Sequence, residues 1–126
     1  MVDDESTVRA VISAWLEETG YQVRCAEDGN EAVIAIKTEC PDILITDSTY
    51  FDDEYAAKVG WGHSPISAVV DLAHRAEVKD LYLFHHDPDQ NDDAIDAKLA
   101  TAQAMLKARK SKTKCLAPRE GQSFKV

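Results

Sequence analysis

The sequence predicts an α/β fold in which a mostly parallel β-sheet lies in a three-layer sandwich with helices. Apolar runs typical of buried strands alternate with segments whose apolar residues follow helical spacing. Strands that alternate with helices imply right-handed crossovers and parallel pairing. A chain of 126 residues is long enough to bury one core, so we expect residues 1–126 to form a single domain.

The first part of the chain predicts two helices around a short strand. Apolar residues within 8–16 share one helical face, and Ser6 or Thr7 is suited to cap this helix. Residues 21–25 are a short strand candidate. Residues 28–31 have the pattern of a capping box, which opens a second helix that runs to about residue 39.

The middle of the chain continues this alternation. Residues 43–45 are an uninterrupted apolar run, as expected of a strand buried on both faces, and residues 52–58 are a candidate short helix. Ser64 is suited to cap a helix that has proline in its first turn. The inward stripe predicted for that helix consists of Ile66, Val69, Val70 and Ala73. Residues 81–84 are the next buried strand.

The last part of the chain predicts a long helix and two short strands. The helix begins with acidic residues and ends with basic residues, which suits the helix dipole. Its apolar positions follow spacings of four, three and four residues: Ile95, Leu99, Ala102 and Leu106. Residues 114–116 and 123–126 are weaker strand candidates.

Composition and charge restrict the function. A net charge of −9 argues against binding to nucleic acid or to an anionic membrane, since phosphate contacts need clustered Lys and Arg. No apolar segment is long enough to span a bilayer, and no secretory signal is evident. The cysteines Cys25, Cys40 and Cys115 are distant from one another and odd in number. These observations indicate a reduced, cytoplasmic protein.

Polar clusters follow the predicted strands. In parallel sheets, ligands bind beyond the carboxyl ends of the strands. Asp3 and Asp4 follow the first apolar residues, Asp47 ends the run that begins at Ile43, and residues 85–87 (His-His-Asp) follow the strand at 81–84. We therefore expect these clusters to form the functional site.

Residues 1–47 resemble a response-regulator receiver domain. The resemblance is carried by Val-Asp-Asp-Glu at 2–5, Gly-Tyr-Gln-Val at 20–23, Asp-Gly-Asn-Glu-Ala at 28–32 and Pro-Asp-Ile-Leu-Ile-Thr-Asp at 41–47. It implies a flavodoxin-like fold and a two-component phosphorelay with a histidine kinase as partner. Asp47 would be the phosphoacceptor, and Asp3 and Asp4 would hold Mg²⁺, a hard cation that neutralises charge on a transferring phosphoryl group.

This sequence departs from the receiver pattern in two respects. Only Met1 and Val2 precede the acidic pair, so we expect the first strand to be incomplete or replaced. The hydroxyl residue and the Lys that receivers carry after their fourth and fifth strands are not evident at residues 84–86 and 117–119. We therefore expect an impaired module, and a homodimer is one way of completing the sheet.

Residues 42–126, chiefly the half from 48 onward, resemble the C-terminal part of metallo-β-lactamase-fold hydrolases, closest to the phosphodiesterase and tRNA-processing branch. The resemblance is carried by Gly-Trp-Gly-His-Ser at 60–64, Phe-His-His-Asp-Pro at 84–88 and Arg-Glu-Gly at 119–121. It implies that Asp47 bridges metal ions, that His85 is a ligand of Zn²⁺ or Mn²⁺, and that His63 assists the leaving group.

The two resemblances meet at the strand that ends in Asp47, which indicates a chimera joined there. The family's N-terminal His-x-His-x-Asp-His motif does not occur in this chain, which weighs against an enzyme. The leading hypothesis is therefore a receiver-like signalling module with Asp47 as phosphoacceptor. The alternatives are a remnant of a metal-dependent phosphodiesterase and a folded scaffold without activity.

Overall fold

In the computed structural model, which describes residues 1–124, helices alternate along the chain with the strands of a three-stranded parallel sheet. The elements in chain order are α1 Ser6–Glu18, α2 Gly29–Thr38, β1 Ile43–Asp47, α3 Asp52–Tyr55, α4 Ile66–Arg75, β2 Asp80–Phe84, α5 Asp92–Ala108 and β3 Lys114–Leu116. The strands are ordered β1-β2-β3 and both pairs are parallel. This confirms the predicted mixed α/β class, and the open parallel sheet is consistent with a flavodoxin-like fold.

The two faces of the sheet differ in burial. Leu44 pairs with Leu81, which pairs with Cys115, and these side chains are buried on one face. Neighbouring residues of a strand point to opposite faces. Ile43 and Ile45 therefore point to the other face, where they are only half-buried. The expectation that this strand is buried on both faces is met on one face alone.

Helices α4 and α5 pack against each other and cover the buried face. The inward stripe predicted for α4 is confirmed, because all four of its residues are buried. In α5, Ala102 and Leu106 are buried as predicted, whereas Lys98 is a buried residue that the apolar pattern did not predict. Helix α1 forms where predicted, yet none of its residues is buried and Trp15 is 67% exposed.

The first three residues occupy the place of a first strand beside β1. The Val2 amide donates to the Ile45 carbonyl at 2.7 Å, and the Val2 carbonyl accepts from the Asp47 amide at 2.9 Å. On its other side this segment pairs with Ala26 through an isolated bridge. The prediction of an incomplete first strand is consistent with this arrangement. The strand predicted at 21–25 is wrong, because only the following residue forms a bridge.

Several predicted helix ends need correction. Glu5, and not Ser6 or Thr7, is the N-cap of α1, without a side-chain hydrogen bond. Pro65, and not Ser64, is the N-cap of α4. The cap predicted at Asp28 is confirmed, because its carboxylate accepts from the Glu31 amide at 2.8 Å. Proline cannot cap with its side chain, and the first amides of α4 instead donate elsewhere: Ile66 to the Tyr50 carbonyl and Ser67 to the Asp52 carboxylate, both at 3.2 Å.

The chain end differs from its prediction as well. The helix predicted over 52–58 is shorter and ends at Tyr55. Ser123 and Phe124 are not in a strand, and the remaining residues of the strand predicted at 123–126 lie outside the described residues. Phe124 instead packs edge-on against Tyr82 of the sheet, with ring centroids 5.3 Å apart. Within residues 1–124, no helix has the length and apolar character that crossing a bilayer requires.

Candidate functional site

The carboxyl ends of the strands bring the predicted site residues together. Asp47 is the last residue of β1, His85 follows β2, and Asp3 follows the bridge at Val2. Asp4 and His63 approach the same place from loops. We call the cluster of Asp3, Asp4, Asp47, His63 and His85 the aspartate–histidine pocket. All five residues predicted from sequence as site residues therefore lie in one pocket.

The Asp47 carboxylate is buried, with 2% of the residue exposed, and both of its oxygens accept hydrogen bonds. Oδ1 accepts from the amides of Ser64 at 2.8 Å and Thr49 at 3.4 Å. Oδ2 accepts from His63 Nδ1 at 2.8 Å and from the Thr49 hydroxyl at 2.9 Å, whose single proton is shared with the His85 carbonyl at 2.7 Å. A buried carboxylate is costly unless it is paired or hydrogen-bonded, and these four donors satisfy it.

Asp3 is the second buried carboxylate of the pocket, with 1% of the residue exposed. Its Oδ1 accepts from the Glu5 amide at 2.9 Å, and its Oδ2 accepts from His85 Nδ1 at 2.9 Å. The same His85 nitrogen lies 3.6 Å from Asp47 Oδ2. The Oδ2 atoms of Asp3 and Asp47 therefore both lie next to the same nitrogen of His85.

His85 has the backbone conformation of a sharp turn at the end of β2. Its φ is +53°, in the left-handed region that non-glycine residues seldom adopt. Burial lowers the pKa of His85, but the carboxylates of Asp3, Asp47 and Asp4 more than offset this, and the net pKa is raised above the ordinary value. The pocket therefore favours a positive charge at the position of this ring.

The loop before α4 brings His63 beside Asp4. The rings of His63 and His85 meet edge-on, with centroids 5.1 Å apart. Gly62 has a φ of +89°, and a Cβ at this position would overlap the Asp4 carboxylate. The positive φ favours glycine in this turn, and a side chain at this position would displace the Asp4 carboxylate from the loop. The two glycines that precede His63 in the sequence, Gly60 and Gly62, were the signal for this turn.

The structure separates the cluster predicted at 85–87. His86 lies outside the aspartate–histidine pocket, with Nδ1 3.5 Å from Lys98 Nζ and a buried Nε2 that has no hydrogen-bond partner among the described residues. Burial, together with the Lys98 charge, lowers the pKa of His86 to about 4. The Asp87 carboxylate accepts from the Asp89 amide within its own turn. Of this cluster, only His85 belongs to the pocket.

Lys98 is a residue of the site region that the sequence interpretation did not identify. Its ammonium group donates to the carbonyls of Ser48 at 2.8 Å and Thr49 at 2.7 Å and to Gln90 Oε1 at 2.6 Å. These contacts join α5 to the loop that follows Asp47. A signal was present in the sequence, since Lys98 is three residues after Ile95 and four before Ala102, which places it on the inward stripe.

The donor atoms of the pocket fit a divalent cation. Two sets of residues each bring one possible ligand atom per residue within 4.8 Å of one another: Asp3 with Asp47 and His85, and Asp4 with His63 and His85. Carboxylate oxygens suit Mg²⁺, and mixed imidazole and carboxylate sets suit Zn²⁺ or Mn²⁺.

Comparison with known proteins supports the receiver-like part of the chain. Residues 1–49 match the family model described as the response regulator receiver domain. The match includes Asp3, Asp4 and Asp47 and ends two residues after the last of them. No solved structure matches the chain. The match supports a response-regulator-like signalling module in the first part of the chain, where three of the five residues of the aspartate–histidine pocket lie.

Proposed function

We propose that the protein is a receiver-like signalling module in which Asp47 accepts a phosphoryl group and Asp3 and Asp4 hold Mg²⁺ beside it. The observation that carries the proposal is the convergence of Asp3 and Asp47 on His85 Nδ1, at 2.9 and 3.6 Å. A cation between these carboxylates would neutralise charge on the phosphoryl group during transfer. The family match over residues 1–49 supports the same proposal.

The hydrogen bonds of Asp47 are the physical reason to expect an impaired phosphoacceptor. Its Oδ2 is held by the Thr49 hydroxyl and by His63 Nδ1, and its Oδ1 by two amides. An attacking carboxylate oxygen must give up at least one of these donors. Charge-assisted hydrogen bonds each contribute on the order of 1.5–3 kcal/mol, so phosphorylation is expected to be slow.

A histidine kinase is the partner that the proposal implies, since a phosphorelay transfers the phosphoryl group from a phosphohistidine to the aspartate. The acidic balance of the chain remains an argument against nucleic acid as a direct partner. We also propose a homodimer that completes the sheet, and sedimentation equilibrium of the purified chain tests this part separately.

Beryllofluoride binding tests the phosphoacceptor directly, because this complex mimics an aspartyl phosphate without needing a kinase. We expect ¹⁹F NMR to detect a bound species that requires Mg²⁺ and disappears in Asp47→Asn. The matched control is Asp89→Asn, an exposed residue outside the pocket, which should bind as the wild type does. A bound species in Asp47→Asn, or none in the wild-type protein, would contradict the proposal.

A second candidate function is that of a metal-dependent phosphodiesterase remnant. It is favoured by the position of His63 and His85, whose rings lie beside Asp47 in the pocket. Zinc-bound water becomes a nucleophile near neutral pH, so such a remnant would cleave an activated phosphodiester slowly. The expected result is turnover of bis-p-nitrophenyl phosphate that requires Zn²⁺ or Mn²⁺ and is lost in His85→Ala. An inactive scaffold would give neither this turnover nor beryllofluoride binding.

A further inference from the structure

The aspartate–histidine pocket has two layers. The buried carboxylates of Asp47 and Asp3 each accept a hydrogen bond from Nδ1 of one imidazole, His63 at 2.8 Å and His85 at 2.9 Å. A proton fixed on Nδ1 leaves Nε2 of each ring as the available metal-binding nitrogen. Metal-binding histidines in proteins are oriented in this way by a carboxylate on the other ring nitrogen. The buried layer therefore orients two imidazoles.

The outer layer consists of the two imidazoles and the Asp4 carboxylate. Asp4, His63 and His85 each offer one ligand atom within 4.8 Å of the others. Bonds from such a set to one ion are about 2.0–2.2 Å long, so the three ligand atoms would have to move closer together when an ion binds. Two imidazoles and a carboxylate are a ligand set of zinc sites, whereas Mg²⁺ prefers oxygen ligands and retains several waters.

Gly62 shows how closely Asp4 approaches the loop of His63. A Cβ at this position would overlap the Asp4 carboxylate, so a side chain at residue 62 would displace Asp4 from its place beside the loop. Gly60 has nearly the same φ, +88° against +89°, but nothing lies within 4 Å of the position of its Cβ. The backbone next to His63 thus accommodates a carboxylate from the other half of the chain.

We propose that Asp4, His63 and His85 form a site for one zinc-type divalent transition-metal ion, with Asp47 and Asp3 as the positioning residues that hold the two imidazoles. This inference rests on the pocket of the proposed function, and it assigns that pocket a different ion with ligands from both halves of the chain. Phosphorylation of Asp47 would remove the hydrogen bond that orients His63. Metal binding and phosphorylation are therefore expected to oppose each other.

Cobalt titration tests the site, because Co²⁺ substitutes for Zn²⁺ and its visible absorption reports imidazole ligation. The experiment uses the purified chain after removal of metals. We expect one Co²⁺ per chain, displaced by Zn²⁺, and a reduction in affinity on the order of 10-fold or more in His63→Gln and in Gly62→Ala. Gly60→Ala is the matched control, since it introduces the same backbone strain without approaching Asp4. Thermal unfolding of the metal-free variants verifies that all of them are folded.

The outcomes separate this inference from the proposed function. Equal Co²⁺ affinities for Gly62→Ala and Gly60→Ala, or wild-type affinity in His63→Gln, would overturn the site. Absence of Co²⁺ and Zn²⁺ binding by the wild-type protein would overturn it as well. Mg²⁺-dependent beryllofluoride binding, measured on the same samples, requires Asp47 but not His63. If His63→Gln binds beryllofluoride but no longer binds Co²⁺, both proposals are supported. If the wild-type protein binds Co²⁺ but not beryllofluoride, the proposed phosphoacceptor is contradicted and the metal site is supported.

Discussion

Replacement of Lys98 by methionine removes a buried charge from the support of the site. The residue is fully buried, and its ammonium group donates to the carbonyls of Ser48 and Thr49 and to Gln90 Oε1. Burial lowers the pKa of Lys98 from an ordinary 10.5 to about 8. Methionine has a similar length and fills the space without the charge, so the variant isolates the ionisation of this one group.

The sign of the pH effect follows from proton binding. Between pH 8 and 10.5 the unfolded chain holds a proton on Lys98 that the folded chain has released. Folding stability therefore rises with pH across this window and does not change with Lys98 ionisation below it. Each unit of pKa difference corresponds to about 1.4 kcal/mol, so the full effect is about 3 kcal/mol.

Urea unfolding across pH 8 to 10.5 measures this effect as the difference between wild type and Lys98→Met. We expect the stability advantage of the wild-type protein over the variant to grow by about 3 kcal/mol from the lower to the upper end. The Cys115 thiol, whose pKa burial raises to about 12, contributes equally to both proteins and cancels. Lys107→Met, an exposed position on the same helix, is the control. A difference that does not vary with pH would refute the reasoning.

Three further substitutions test the packing around the site by urea unfolding. Thr49→Val removes a hydroxyl that donates to the Asp47 carboxylate at 2.9 Å, and we expect a loss of about 1 kcal/mol; an unchanged unfolding midpoint would contradict this. Asn91→Ala removes the cap of α5 and should lower the free energy of unfolding by about 1 kcal/mol. The helical circular dichroism signal should then disappear at a lower urea concentration than in the wild type, and an unchanged midpoint would contradict this. Val70→Ala leaves a cavity in the core and should lower the free energy of unfolding by about 2–3 kcal/mol. Val59→Ala, at a residue that is 66% exposed, should change it by no more than about 0.5 kcal/mol. Equal losses in the two variants would contradict the assignment of Val70 to the core.

The parts of the fold that sequence could predict are those whose signal is local. The stripe of α4 was predictable because its residues meet one continuous apolar surface, and all of them are buried. Helix α1 has a similar apolar pattern and forms as predicted, but none of its residues is buried. The face of the sheet that carries Ile45 is likewise only half-buried. Periodicity indicates which residues share a face, and it does not indicate how well that face is covered.

The site was predictable to the extent that it follows the strand ends. Asp47 ends β1, His85 follows β2 and Asp3 follows the parallel bridge at Val2, so parallel pairing brings them together. The contact between Asp4 and the loop of His63 depends on a turn with positive φ, and no periodic pattern encodes it. The inward position of Lys98 is locally evident, but the two backbone carbonyls to which it donates lie 49 and 50 residues away in the chain.

The dependence of the two halves on each other follows from the buried carboxylates. Asp3 and Asp47 belong to the half that matches the receiver family, but the imidazoles that hydrogen-bond them, His85 and His63, come from the other half. A segment ending at residue 49 would keep both carboxylates and lose these donors, as well as the strand β2 that pairs with β1. Leaving a buried charge without its partner costs on the order of 3–5 kcal/mol, which is comparable with the whole stability of a small domain. The segment that matches the receiver family therefore does not retain these contacts alone, and we expect any activity of the pocket to require the rest of the chain as well.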